Sequence, residues 1–348
     1  MTDTRASHWH DTLGVASTRH ILHITMPLLR RRLLTLPLLL AHSWAGAQDG
    51  AIEDETWTDM RRPRVVPVRV RWPGGAAPIG GWPLLLFSHG LGGARDGGSV
   101  WGEAWTAAGF VVVHLQHVGS DIEAVRRVAG NFGNQAALRQ LAGPLELMQR
   151  LLDVRFVLDE VGRRQTAAQG RWSQVRSSMV GMSGHSYGAH TTLGMAGQTY
   201  PGFAGISEPR LASFIAFSPT VPAQDAEQAF AKLTQPLLSI TGTRDDDVVG
   251  VGATPQRRMA TFAALPPGNK AHLVLQDADH MSFAGQTGRA AEVVRREPIT
   301  RDLQPAHHAL IASITSDWWR ATLMNDAQAR MRLAAPSGLR PDDLWQQK

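Results

Sequence analysis

The chain contains no cysteine, and it has only modest shares of charged and aromatic residues for its length of 348 residues. The absence of cysteine excludes disulfide bonds and a cysteine nucleophile, but it does not argue against export. Charged residues make up 19% of the chain and hydrophobic residues 43%. A chain of this composition can bury a large core, and we do not expect its main body to be disordered.

Excess positive charge is also small once the N-terminal part is set aside. The formal net charge is +5, but residues 1–47 hold five arginines and two aspartates, which leaves +2 for the rest. The remaining arginines are scattered along the chain and form no stripe. A nucleic acid is therefore not expected as a partner.

The N-terminal apolar run is shorter than a membrane-spanning helix requires. It covers residues 33–41, whereas a transmembrane helix needs roughly 20 apolar residues. Arg30, Arg31 and Arg32 precede it, and the small-residue end Ala45-Gly46-Ala47 follows. A basic head, a short apolar middle and an A-x-A end are typical of a secretory signal peptide.

From this segment we predict that residues 1–47 are an N-terminal extension with a signal peptide. Translation would start at Met26, and cleavage would fall near Ala47. Residues 48–348 would then be a single folded domain. The mature protein is expected in the periplasm or outside the cell, without a stable membrane anchor. The general and the twin-arginine export routes both fit the arginine cluster.

Short apolar runs alternate with stretches of helical character along the rest of the chain. Strands are predicted at residues 64–72, 83–88, 110–114, 178–182, 213–217, 236–241 and 272–275, and helices at 99–108, 135–160, 188–197, 255–264 and 303–324. This alternation predicts an α/β fold with a mostly parallel central sheet and helices on both faces. Functional loops are expected at the C-terminal ends of the strands.

The most informative motif is Gly184-His185-Ser186-Tyr187-Gly188, which follows an apolar run and precedes a helical stretch. In a G-x-S-x-G motif the serine sits on a tight turn between a strand and a helix, so its hydroxyl is exposed. Bulkier side chains two residues before and after would collide, which explains both glycines. Ser186 is therefore a candidate nucleophile. A glycine-rich loop with an incidental serine would match the same motif and is the alternative.

A serine nucleophile needs a histidine base and a carboxylate that orients the histidine. In the fold that carries the G-x-S-x-G turn, the order along the chain is serine, then acid, then histidine. A predicted strand at residues 236–241 runs into Asp245, Asp246 and Asp247. The next predicted strand leads into a loop with His280. Both groups follow Ser186 in the required order, and the residues alone leave the three aspartates as alternatives.

A glycine-rich loop follows the strand at residues 83–88. Its sequence, His89-Gly90-Leu91-Gly92-Gly93, can present backbone N–H groups to an oxyanion. We assign the two donors to the backbones of Leu91 and Tyr187. A plain turn without a catalytic role would have the same sequence pattern and is the alternative. His89 is expected to hold this loop by hydrogen bonding and not to act as a base.

Five motifs carry a resemblance to a known family, and in chain order they read FSHGLGG, VVVHLQHVGSD, GHSYG, GTRDDD and DADHMSF. Over residues 60–325 the chain resembles the α/β-hydrolase superfamily. It is similar to bacterial proteins called predicted dienelactone hydrolases, which are relatives of platelet-activating-factor acetylhydrolase and chlorophyllase. The resemblance implies Ser186 as nucleophile, His280 as base and Asp245, in the family's G-x-x-D pattern, as acid.

The same resemblance implies hydrolysis of carboxylic esters through an acyl-enzyme intermediate, without a cofactor. A small-molecule ester is the expected partner, and a lipid or a polyester also fits. True dienelactone hydrolase is expected to use a cysteine nucleophile, and this chain has none. The family label therefore does not identify the substrate.

The spacing between predicted elements also describes the surroundings of the site. Only residues 219–235 connect the strand that ends near Ser218 to the next one, so no large cap domain is expected. A site without a lid would be open, and we expect short acyl chains. Residues 116–134 form a longer irregular stretch that either walls the pocket or crosses the surface.

Other functions remain as alternatives. An acyltransferase or peptidase of the same fold would use the same groups on a different acceptor or bond. A non-catalytic binding protein would be expected to lose at least one group, whereas candidates for all are present. His114 and His117 lie three residues apart, but no set of three or four ligands with metal-site spacing is visible, so no metal is predicted.

Overall fold

The computed structural model describes residues 50–348. The predicted start at Met26, the signal peptide and the cleavage position near Ala47 lie outside the described residues. Within residues 50–348, no helix is both long enough and apolar enough to cross a membrane.

The described residues form a nine-stranded sheet and a separate two-stranded one. The strands are β1 (Ile52–Asp59), β2 (Arg64–Arg71), β3 (Trp82–Ser88), β4 (Val111–Leu115), β5 (Val175–His185), β6 (Thr199–Tyr200), β7 (Phe203–Ala204), β8 (Leu211–Phe217), β9 (Leu237–Arg244), β10 (Lys270–Asp279) and β11 (Leu344–Gln347). The large sheet has the order β1-β2-β4-β3-β5-β8-β9-β10-β11. Its neighbours from β4 to β10 are parallel, whereas β1, β2 and β11 pair antiparallel at the two edges.

Helices connect most of the parallel strands. They are α1 (Ser99–Ala107), α2 (Ile122–Val128), α3 (Gln135–Leu141), α4 (Pro144–Thr166), α5 (Tyr187–Met195), α6 (Ala226–Phe230), α7 (Pro255–Ala264), α8 (Pro298–Leu323) and α9 (Ala327–Ala334). Three short 3-10 helices lie at Gly170–Gln174, His280–Phe283 and Gly288–Ala291.

Side chains of the central strands alternate between two hydrophobic clusters. In β3, Leu84 and Leu86 pack with residues of α4 and α5, whereas Leu85 and Phe87 pack with residues of α1 and α8. All seven residues of β3 are buried, which explains why this strand is a continuous apolar run in the sequence. The structure therefore confirms the predicted α/β-hydrolase architecture, a mostly parallel sheet with helices on both faces.

The predicted helix at residues 135–160 is wrong, because the structure has two helices there. The break falls at Ala142 and Gly143, where Gly143 caps α4 in an extended conformation and Pro144 occupies its first turn. Proline is favoured at the start of a helix, but it disfavours helical geometry in the residue before it. The sequence therefore contained this signal.

The connection between β8 and β9 is short and contains only α6, five residues long. No domain-sized insertion separates these strands in the described chain, in agreement with the expectation of no large cap. The site at the C-terminal ends of the strands is therefore bordered by loops and short helices.

Candidate active site

Ser186 lies on the sharp turn predicted from its motif. It connects the end of β5 to the start of α5, with φ 56° and ψ −114°. A positive φ is rare for a residue with a side chain, and its cost must be offset by the surrounding structure. Added Cβ atoms on Gly184 and Gly188 would collide with the carbonyl oxygens of Gly188 and Ser88, respectively. Both glycines are therefore required for this turn.

His280 and Asp245 form a buried pair beyond the ends of two neighbouring strands. His280 Nδ1 lies 2.7 Å from Asp245 Oδ1, and Thr241 Oγ1 donates to Asp245 Oδ2 at 2.8 Å. Asp245 is fully buried and His280 is 4% exposed. Because the carboxylate can only accept, the ring donates through Nδ1. Nε2 is then the nitrogen that can take a proton.

The three neighbouring aspartates occupy different environments. Asp246 is exposed, whereas the carboxylate of Asp247 accepts hydrogen bonds from four backbone N–H groups of its own loop. Asp245 is the one whose carboxylate reaches the ring of His280. The structure thus brings together the residue pair that the resemblance implied.

Arg258 contacts Asp245 from α7, and the sequence did not reveal this contact. Its guanidinium lies 3.0 Å from Asp245 Oδ1 and donates to the carbonyl oxygens of Asp245 and Ser218 at 2.9 and 2.6 Å. Burial alone would raise the pKa of Asp245, but the charge of Arg258 and the interaction with His280 outweigh it and lower that pKa to about 2. Asp245 is therefore ionised at neutral pH.

Ser186 and His280 line the same cavity, which we call the histidine-side cavity. It has a volume of about 350 Å³, and Leu91 also borders it. Among the described residues, no hydrogen bond joins the Ser186 hydroxyl to the His280 ring. Hydrogen bonds between catalytic groups are often long in the absence of substrate and shorten in the reacting complex. The two groups are placed to face the same bound molecule.

The N–H groups of Leu91 and Tyr187 are both unpaired in the described part of the chain. Tyr187 is the first residue of α5, so its N–H has no acceptor within the helix. Leu91 borders the same cavity as Ser186. Free backbone donors beside a serine are what an oxyanion hole requires, and the positions are those assigned from the sequence.

A buried arginine holds the loop that contains Leu91. Arg150 of α4 is fully buried and donates to His89 O at 2.7 Å and to Ser120 Oγ at 2.8 Å. The backbone N–H of His117 donates to His89 Nε2 at 3.0 Å, so His89 Nδ1 carries the proton and donates to Gly90 O. Burial, reinforced by the charge of Arg150, lowers the pKa of His89 well below its usual value. His89 thus contributes hydrogen bonds to the loop.

Asp153, His117 and Ser88 form a second chain of hydrogen bonds nearby. His117 joins Asp153 Oδ2 through Nδ1 and Ser88 Oγ through Nε2, both at 3.0 Å. All three side chains are fully buried, and Arg62 and Arg64 pair with Asp153. Because no substrate can reach it, this group supports the loop instead of forming a second active site.

His114 and His117 both form hydrogen bonds within the protein. His114 Nδ1 bonds to Gly97 O at 2.9 Å, and His117 belongs to the buried chain with Asp153. No group of three metal-binding side chains comes together within residues 50–348.

The stretch at residues 116–134 contributes to the wall of the pocket. Its helix α2 is capped by the Asp121 carboxylate, which accepts from Ala124 N at 3.1 Å. Ile122, Arg126 and Phe132 border the histidine-side cavity. Of the two alternatives left open by the sequence, the structure supports the pocket wall.

A second cavity, of about 400 Å³, meets the first at Ser186. Tyr187 borders this cavity but not the first, and we call it the tyrosine-side cavity. Apolar side chains dominate its wall, among them Leu147, Tyr200 and Phe203. The sequence contained no signal for it, because its wall comes from segments far apart in the chain.

Comparison with known proteins agrees with this fold. Residues 65–127 match the family model "Platelet-activating factor acetylhydrolase, isoform II". The chain is similar to α/β-hydrolases of this kind. The matched segment contains the loop with Leu91, but it ends before Ser186, Asp245 and His280.

No curated protein matches the chain. One solved structure with similarity is described as "Native structure of a novel cold-adapted esterase from an Arctic intertidal metagenomic library". It is 14% identical, covers 74% of this chain and 94% of its own, and has a TM-score of 0.44. A similarity at this level does not establish a shared function.

Proposed function

We propose that this chain is a serine esterase that hydrolyses carboxylic esters through an acyl-enzyme intermediate. The observation that carries the proposal is the placement of Ser186 at φ 56° on the wall of a cavity that His280 also lines. The ring of His280 is in turn fixed through Nδ1 by the buried carboxylate of Asp245. This is the arrangement of nucleophile, base and orienting acid that acyl transfer needs.

In the first half of the proposed reaction, Nε2 of His280 takes the proton of the Ser186 hydroxyl while Oγ attacks the ester carbonyl. The N–H groups of Leu91 and Tyr187 stabilise the resulting oxyanion. When the tetrahedral intermediate collapses, the bond to the alcohol oxygen breaks and His280 returns the proton to it. The alcohol leaves, and Ser186 carries the acyl group.

In the second half, His280 removes a proton from a water molecule that attacks the acyl-enzyme. A second tetrahedral intermediate forms at the same two N–H groups and collapses, with the proton passing to Ser186 Oγ. The carboxylic acid is released and the enzyme is regenerated. Asp245 remains ionised throughout, in accord with its low pKa. Every group in this sequence is supplied by the chain and the solvent.

The choice of esters is supported by the family similarity, since the matched family is described as an acetylhydrolase. A peptidase or an acyltransferase would use the same serine, histidine and aspartate. No specific contact in the described residues favours either of them.

Hydrolysis of a chromogenic ester by the parent chain and by Ser186→Ala tests the proposal. We expect the variant to lose activity by at least about 10³-fold, since removal of a nucleophilic serine abolishes the covalent route. Ser207→Ala, which changes an exposed serine, is the matched control and should retain the parent rate. Equal activity in Ser186→Ala and the parent would reject Ser186 as nucleophile.

A fluorophosphonate probe gives a second test that does not depend on the chosen ester. We expect stoichiometric labelling of the parent and of Ser207→Ala, and none of Ser186→Ala. Peptide mapping should place the label on Ser186. A folded parent protein that stays unlabelled and hydrolyses no ester would contradict the proposal.

A further inference from the structure

We propose that the site is built for esters with a sizeable apolar acyl group, which binds in the tyrosine-side cavity, while the alcohol occupies the histidine-side cavity. This inference rests on the proposed function and adds the substrate class to it. Two separate cavities meet at the same serine, Ser186.

The two cavities share a short border. Ser186, Leu91, Val248 and Val249 line both, and the volumes are about 350 Å³ on the histidine side and 400 Å³ on the tyrosine side. Each volume lies in the range of cavities that hold small organic molecules. A carbonyl carbon held at Ser186 Oγ would therefore have room for a substituent on each side.

The direction of proton transfer assigns the acyl group and the alcohol to the two cavities. His280 must return a proton to the leaving alcohol oxygen, so that oxygen has to lie on the side of its ring. His280 lines the 350 Å³ cavity and is absent from the wall of the other. Tyr187, which presents an oxyanion donor, lines the 400 Å³ cavity. The acyl group is thus directed away from His280 into the tyrosine-side cavity.

The wall of the tyrosine-side cavity suits an apolar group. Leu147, Pro222 and Val251 contribute aliphatic surface. Tyr200 and Phe203 form a stacked pair with ring centroids 4.8 Å apart. Burial of a hydrocarbon chain against such a wall is favourable in proportion to the area removed from water.

The charged groups that border this cavity are already engaged by the protein. Asp247 accepts from four backbone N–H groups, and Arg257 donates to two backbone carbonyls. Arg258 pairs with Asp245 and with backbone oxygens. His190 is uncharged at neutral pH, because burial, reinforced by both arginines, lowers its pKa to about 4. Acyl groups without a charge are therefore expected to bind best.

Short acyl chains are the expectation for a site without a lid, and the description of the matched family names an acetyl group, whereas the cavity beside Ser186 favours longer chains. An open entrance limits how far a substrate is enclosed, but it does not limit the depth of the cavity beside the serine. An acetyl group would leave most of the 400 Å³ unfilled. Longer chains gain contact until the cavity is full.

Two ester series measured as kcat/KM test the assignment. In the first, the leaving group is always 4-nitrophenol and the acyl chain grows from acetate to octanoate. In the second, butanoate is constant and the alcohol grows from methanol to hexanol, with acid release followed by titration. We expect kcat/KM to rise from acetate by about threefold to fourfold per methylene until the cavity is filled.

Replacing one alanine in each cavity by phenylalanine tests the two cavities separately. Ala142 borders the tyrosine-side cavity alone and Ala290 the histidine-side cavity alone, and both are half-buried. Ala142→Phe should lower the ratio of octanoate to acetate turnover by at least about tenfold and leave the alcohol series in the same rank order. Ala290→Phe should lower the ratio of hexanol-ester to methanol-ester turnover by a similar factor and leave the acyl series in the same rank order. Ala223→Phe, at an exposed position of the tyrosine-side cavity, replaces Ala142→Phe if that variant does not fold.

The outcomes distinguish the two proposals. If the parent hydrolyses acetate faster than every longer ester, or if the two substitutions exchange their effects, the cavity assignment is wrong while the esterase proposal stands. If Ser186→Ala and the parent hydrolyse the series equally, the esterase proposal itself fails. Selective loss of long acyl chains in Ala142→Phe alone confirms the assignment.

Discussion

Arg258 illustrates what a single residue adds beyond the three candidate catalytic groups. Arg258 is 3% exposed, and its guanidinium forms an ion pair with the fully buried Asp245. Removing one partner of a buried ion pair leaves the other charge without compensation, which is strongly destabilising. The role of Arg258 is therefore to keep a carboxylate ionised in a place where burial alone would protonate it.

We predict that Arg258→Gln lowers the free energy of unfolding by about 3–5 kcal/mol at pH 7. Part of this loss depends on pH. The pKa of Asp245 is about 2 in the folded chain against 3.8 for a free aspartate, so its ionisation stabilises the fold above about pH 5. That contribution is lost as the pH falls through about 2, and it is worth about 2 kcal/mol.

Urea denaturation of the parent and Arg258→Gln at pH 7 and pH 3 measures both effects. The difference in unfolding free energy should be smaller at pH 3. Arg257→Gln is the matched control, because the neighbouring guanidinium bonds only backbone carbonyls at a partly exposed position. A difference that is equal for the two arginines, or independent of pH, would contradict this role.

At the scale of the element, the central feature is the loop after β3 and its support from α4. Arg150 donates from this helix to the carbonyl of His89, and its guanidinium lies 4.3 Å from the ring centroid of Tyr187. One buried cation thus contacts both segments that carry the proposed oxyanion donors. The support is rigid because its groups are buried and hydrogen-bonded.

Arg150→Met is expected to lower kcat by about tenfold to hundredfold, with a smaller change in KM. Loss of a whole oxyanion donor costs about 10²–10³-fold in kcat, and displacement of the loop should cost somewhat less. Arg155→Met, in the same helix but half exposed, should leave both constants unchanged. Steady-state kinetics on one ester decides the matter, and an increase in KM alone would show that Arg150 acts on substrate binding instead.

The elements differ in how well the sequence predicts them. β3 is a continuous apolar run and is predicted within one residue, because a strand buried on both faces has a distinctive composition. The edge strands β1 and β11 were missed, because half-exposed strands have a mixed composition. The turn at Ser186 follows from local glycine chemistry and was anticipated.

The contacts of Arg258 and Arg150 could not be anticipated in this way. Both depend on which side of a helix faces the site and on distances across the fold. In α7 two arginines are adjacent in sequence, yet Arg258 is buried while Arg257 is partly exposed. The pattern of a short helix does not separate these two positions. The tyrosine-side cavity was missed for the same reason.

At the scale of the whole molecule, the sheet order gathers distant segments at one edge. Ser186 follows β5, Asp245 follows β9 and His280 follows β10. These strands lie side by side with β8, parallel to each other, so their C-terminal ends meet. Residues separated by nearly a hundred positions therefore share one site, as expected at the C-terminal edge of a parallel sheet.

The whole chain also carries a prediction about its location. We propose that it is exported and cleaved near Ala47, because a basic head, an apolar run and an A-x-A end precede the folded part. Expression of the full chain in a bacterial host, followed by fractionation and intact-mass measurement, should find in the periplasm a product that begins near Gln48. The ester hydrolysis that Ser186→Ala removes should be in the same fraction.

Substitution at the cleavage site tests whether this segment is read as a signal. Signal cleavage requires small residues at the A-x-A positions, so Ala47→Arg should block processing and leave a longer product attached to the membrane. Ala51→Arg, four residues further on, adds the same charge outside the motif and should be processed normally. A parent chain that stays uncleaved in the cytoplasm, with full ester hydrolysis there, would show that residues 1–47 do not direct export.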